Sequence, residues 1–79
     1  MTLPYSTQTI DQADIDAVDR VLRSDFLTQG PVTPLFEQTV ANYCNSEFAV
    51  AFNSATSALH SACLSLGVGE GDLVWTTSI

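Results

Sequence analysis

Phe48-Ala49-Val50-Ala51-Phe52 is a run of five residues with no charge and no polar alternation. A strand of that kind is covered on both faces, as in parallel sheets, and needs neighbouring strands beside it. The chain has 79 residues from which to supply them, and domains of that size bury only about 60% of the surface their unfolded chains expose. A second apolar run, Leu73-Val74-Trp75-Thr76-Thr77, follows after an intervening helical stretch. Strand, helix and strand within this span predict a βαβ unit over residues 48–77, with a right-handed crossover. Trp75, inside the second run, is expected in a core. Two parallel strands cannot close a core, so the fold class is α/β but incomplete. The rest of the sheet is expected beyond residue 79, in a longer parent chain of which 1–79 is the N-terminal fragment.

The segment before the first strand reads as helices. Residues 1–7 show no period and form an extended lead-in. Asp11 is a good N-cap, Asp14 can reach back as in a capping box, and Ile10 can staple against Ile15. Ile15, Val18, Val21 and Leu22 then make one apolar stripe, which predicts a helix over 12–24. Gly30-Pro31 breaks the chain into a loop. Thr33 before Pro34 reads as an N-cap followed by proline at the first helical position, with Leu35, Phe36, Val40, Tyr43 and Cys44 as the buried side of a second helix. Asn45 is placed to end it in a left-handed conformation. Ala58, Leu59, Ala62, Cys63 and Leu66 mark a third helix, closed by Gly67.

Composition removes several functions. Two basic residues against nine acidic ones give a net charge of -7, with a pI near 4.1. Arg20 and Arg23 are the whole cationic inventory, too small a footprint for nucleic acid. At 46% hydrophobic residues and a mean hydropathy of +0.19, the chain is too apolar for a disordered acidic tail. No basic leader precedes an apolar core, and no apolar run approaches the ~20 residues that span a bilayer. The expected setting is cytoplasmic, with free thiols at Cys44 and Cys63. Those cysteines and His60 fall short of a zinc set. Asp11, Asp14, Asp16 and Asp19 lack the glycine turn of a calcium loop and read as a solvated helix face. No metal site is expected.

Asn53-Ser54-Ala55-Thr56-Ser57 lies between the first strand and the third helix, where ligands of open α/β sheets bind. A helix start leaves about four backbone N–H groups unpartnered and carries roughly half a positive charge, which suits phosphate. Hydroxyls at Ser54, Thr56 and Ser57 add donors, and small Ala55 lets oxygens approach the backbone. The plainer alternative is that Ser54 or Thr56 simply caps the helix. Neither Gly-x-Gly-x-x-Gly nor Gly-Lys-Ser/Thr occurs, and the chain has no lysine, so this is no dinucleotide or nucleoside-triphosphate loop. A small acidic carrier module shares the size and charge. It needs Asp-Ser-Leu at a helix start, and Asn53-Ser54-Ala55 is the nearest approach.

Leu27-Thr28-Gln29-Gly30-Pro31, Phe36-Glu37, Phe52-Asn53-Ser54-Ala55-Thr56-Ser57-Ala58-Leu59-His60 and Gly69-Glu70-Gly71-Asp72 together resemble the N-terminal part of the DegT/DnrJ-type sugar aminotransferases. The resemblance implies the N-terminal helices and first βαβ of the large domain of a fold-type-I transferase dependent on pyridoxal 5'-phosphate (PLP). It implies Ala55, Thr56 and Ser57 as PLP phosphate ligands. It also implies Tyr5, Asp25, Phe26, Leu27, Thr28 and Ala55 as residues lining a nucleotide-sugar site, which makes 1–33 a lead-in, first helix and substrate-lining loop. The implied reaction moves an amino group from L-glutamate to C4 of a UDP-linked 4-keto sugar, a UDP-4-keto-6-deoxy-N-acetylhexosamine, in pseudaminic acid or related sugar biosynthesis, by a homodimer. The lysine that such chemistry requires lies outside this chain, so no catalytic residue is expected within it and the fragment alone should be inactive. A histidine in that lysine's place would make the parent a dehydratase.

Overall fold

The structure, a computed structural model, describes residues 2–78; Met1, at the start of the expected lead-in, and Ile79 lie outside the described residues. Helix α1 runs Gln12–Leu22. Asp11 caps it from an extended conformation and accepts from the Asp14 amide at 3.1 Å, while Asp14 Oδ2 accepts from the Asp11 amide at 3.0 Å. The box forms with aspartate in both places, satisfying two donors at the helix entrance. The helix stops two residues before the expected Ser24, whose hydroxyl donates to the Val21 carbonyl at 2.6 Å and lies 3.1 Å from that of Phe26. Arg23 Nε sits 2.9 Å from both carboxylate oxygens of Asp19, an exposed pair worth about 0.5 kcal/mol at most.

The loop that follows is tight. Gln29 takes a positive φ of 53°. Gly30 lies so near Phe26 that a Cβ there would meet Phe26 Cβ at 2.9 Å and its carbonyl oxygen at 3.2 Å.

Helix α2 covers Val32–Tyr43 and starts two residues earlier than the Thr33 cap predicts. Pro31 is the N-cap and makes no side-chain cap, so Thr33 and Pro34 lie inside the first turn. The proline at the third helical position is harmless there, because the first amides of a helix have no intrahelical acceptor. Pro31 and Pro34 remove two of those orphan donors outright, and the first backbone bond runs from the Leu35 amide to the Pro31 carbonyl at 3.3 Å. At the far end Asn45 has φ 52°, with Ser46 N donating to Ala41 O at 2.8 Å and Asn45 N to Asn42 O at 3.2 Å. That is the Schellman pattern.

The buried side of α2 differs from the expected one. Leu35, Phe36 and Tyr43 are exposed, and Ala41, at 2% exposure, is the only buried hydrophobic among the described residues. The chain turns back after Asn45, and residues 47–49 border one hollow with Pro34, Glu37, Gln38 and Ala41.

Helix α3 spans Ala55–Ser65, capped by Ser54. Gly67, at φ 74°, ends it, with Val68 N donating to Cys63 O at 3.0 Å. A turn over 69–72 follows, in which Gly71 has φ 87° and Asp72 Oδ2 accepts from the Gly69 amide at 2.7 Å. The element order is α1, α2, α3.

Neither expected strand forms among the described residues: 48–52 and 73–77 are irregular, so the βαβ unit is absent as a paired sheet. A β-ladder needs two segments side by side, and these two do not pair. Trp75, expected in a core, is 95% exposed. The accessible surface is 7872 Å², against about 4,700 Å² for a compact chain of this mass. The radius of gyration is 17.1 Å, against about 12 Å for a compact domain of this length. The three helices therefore do not share a core.

Candidate functional site at the head of α3

Residues 47–52 run between two helices. Phe48 and Ala49 border α2, while Val50 and Phe52 share a hollow with Ala58, Ser61, Ala62 and Ser65 of α3. One long-range hydrogen bond ties this segment down: the Ala51 amide donates to Glu37 Oε1 at 2.9 Å. The chain then turns through Asn53 and enters α3.

Ser54, at φ −157° and ψ 157°, caps the helix in the ordinary way. Its Oγ accepts from the Ser57 amide at 3.1 Å and lies 3.1 Å from Ser57 Oγ. The cap consumes one donor of the helix start. The amides of Ala55 and Thr56, at the first two helical positions, have no intrahelical acceptor, and the Thr56 side chain is exposed. The two sequence readings of this stretch are thus compatible: Ser54 does the capping, and the remaining donors stay open. Two open amides, a free threonine hydroxyl, a small residue at Ala55 and the positive end of the helix dipole fit one phosphate group. They fit only that end of PLP, because no lysine exists here to engage its aldehyde.

The other expected site residues lie apart from this turn. Tyr5 precedes α1 and is 90% exposed. Asp25, Phe26, Leu27 and Thr28 sit in the loop between α1 and α2, all exposed. Neither group lines the hollows on either side of 47–52. Glu37 is the residue to which sequence reasoning assigned no role. Its sequence signals are its place in the Phe36-Glu37 pair that helps carry the family resemblance and its position one helical turn before Ala41, on the same face of α2.

Residues 8–79 match the DegT/DnrJ/EryC1/StrS aminotransferase family. A match over that much of the chain makes it a member of this family. Among curated relatives, it is 43% and 44% identical over 77 residues to the UDP-4-amino-4,6-dideoxy-N-acetyl-beta-L-altrosamine transaminases of two strains of Campylobacter jejuni. It is 40% identical over 77 residues to the UDP-4-amino-4-deoxy-L-arabinose--oxoglutarate aminotransferase of Shewanella sediminis. Each alignment covers 98% of this chain and 20% of the relative, so the chain spans about a fifth of their length. No solved structure matches it.

Proposed function

We propose that these residues form the N-terminal part of the α/β large domain of a PLP-dependent nucleotide-sugar aminotransferase, and that the head of α3 holds the cofactor's phosphate. The observation that carries this reading is the pair of open amides at Ala55 and Thr56, presented by a capped helix in a member of an aminotransferase family. The runs 48–52 and 73–77 would enter a sheet completed by segments outside these residues.

When bound, the cofactor supplies the chemistry that carries an amino group from donor to ketone. The Ala55 and Thr56 amides orient the phosphate, with the Thr56 and Ser57 hydroxyls as further donors. The Ala55 methyl leaves room for phosphate oxygens on one side and for the sugar nucleotide on the other. Tyr5, Phe26 and Leu27 offer apolar surface, and Asp25 and Thr28 hydrogen-bonding groups, to a UDP-linked 4-keto sugar. The names of the relatives, all transaminases of UDP-4-amino sugars, support that substrate class, and the mention of oxoglutarate supports L-glutamate as donor. A UDP-4-keto-6-deoxy-N-acetylhexosamine, as in pseudaminic acid biosynthesis, is the sugar most in keeping with the Campylobacter relatives. Proton transfer falls to a lysine outside these residues, in a cytoplasmic homodimer.

Ala55→Pro tests the phosphate seat in a full-length polypeptide carrying these residues. Proline is well tolerated at the first helical position and needs an extended predecessor, which Ser54 already is. The variant thus deletes one amide and leaves the helix. PLP affinity is expected to fall roughly tenfold, as for a lost hydrogen bond to a charged group. Affinity for pyridoxal, which has no phosphate, should stay unchanged. An unaltered preference for PLP over pyridoxal overturns the reading.

A further inference from the structure

We infer that Glu37 is a positioning residue for the phosphate-binding turn, an assignment that rests on the function proposed above. Glu37 lies in the middle of α2, and its carboxylate takes the Ala51 amide at 2.9 Å across fourteen residues of chain. It is also only partly exposed, whereas Glu47 and Glu70 are exposed. One turn further along the same helix face is Ala41, which is buried and borders the hollow beside the returning segment. The carboxylate thus holds the returning segment to α2 at Ala51.

The consequence reaches the turn through covalent geometry. Ala51 stands three residues before the Ser54 cap, and three residues span at most about 10 Å. Where the Ala51 backbone is held, the entry to α3 is held as well, and with it the direction of the Ala55 and Thr56 amides. The partner is also chemically apt. A backbone amide at a strand edge has to find an acceptor, and a carboxylate supplies a charge-assisted one while denying that donor to a neighbouring strand. Segment 48–52 therefore turns the Ala51 edge towards α2 in the intact sheet.

Three variants of the full-length polypeptide test this. Glu37→Ala removes the acceptor, Glu37→Asp withdraws the charge by one methylene, and Glu37→Gln keeps a carbonyl oxygen in place. Hydrogen exchange at the Ala51 amide is expected to accelerate about tenfold or more in the alanine and aspartate variants, and much less in the glutamine variant. Affinity of the apo form for PLP should fall roughly tenfold in the first two and recover to within about threefold in the third, with pyridoxal affinity unchanged throughout. The aspartate variant carries the test if the alanine variant does not fold. Unchanged exchange at Ala51 overturns the assignment, and so does an equal loss of PLP and pyridoxal affinity, which marks a residue that merely holds the domain together. A phosphate effect from Ala55→Pro without one from these variants rejects Glu37 alone; no effect from Ala55→Pro rejects the seat itself.

Discussion

Ser54 separates capping from ligand binding at a single position. Its hydroxyl is spent on the Ser57 amide, so its contribution is to the helix. Ser54→Asp keeps a good N-cap but puts a carboxylate beside the open amides. Stability in urea should change by less than about 0.5 kcal/mol, while PLP affinity should drop by more than roughly tenfold through charge repulsion, with pyridoxal unaffected. Ser54→Ala is expected to do the converse, losing about 1 kcal/mol of stability. Equal behaviour of the two variants in the binding titration would contradict this division of labour. The cap was legible in the sequence because it depends on neighbours three residues apart. Glu37 was not, because its partner is fourteen residues away and nothing local signals the pairing.

At the scale of elements, all three helices were readable, and the errors fell at ends and faces. α1 and α3 carry their own start signals, an Asp11–Asp14 box and a Ser54 cap. α2 has none, and the preference of proline for the first helical position misplaced its start by two residues. Thr33 sits inside the first turn and caps nothing. Thr33→Ala should therefore change stability by no more than about 0.5 kcal/mol, where loss of a true threonine cap would take about 1 kcal/mol; equilibrium denaturation of the full-length polypeptide distinguishes the two. The buried face of α2 was misassigned for a different reason. Periodicity picks out the largest apolar stripe, but the residue of α2 that is buried is a small one, Ala41, on the side where residues 47–49 border a hollow. The apolar stripe of α1 has the predicted spacing, and Ile10, Ile15, Val18 and Leu22 line one groove, yet all four are more than half exposed.

At the scale of the whole molecule, exposure dominates. Phe48, Val50, Leu73, Val74 and Trp75 all face solvent, although their sequence pattern asks for cover on both sides. Burial returns about 25 cal/mol per Å², and with Ala41 as the one buried hydrophobic among the described residues little of that return is collected. The isolated 79-residue chain is accordingly expected to bind a hydrophobic dye, to lose its helical circular dichroism gradually on heating, and to show the tryptophan emission of solvated indole from Trp75. A sharp cooperative melt with blue-shifted emission would show instead that these residues close a core by themselves.

The chain's own order of residues determined whatever is decided within a few positions. That covers the three helices, the left-handed ends at Asn45 and Gly67, the loop at Gly30-Pro31, and a helix start with more donors than its cap consumes. Tertiary structure decided what depends on distant segments meeting: that residues 47–52 border hollows with both α2 and α3, that Ala41 is the buried hydrophobic among the described residues, and that Glu37 holds Ala51. The strands fall in the second group. A helix satisfies its backbone from its own neighbours four residues away, whereas a strand takes its partners from another part of the chain, and residues 48–52 and 73–77 do not provide them for each other.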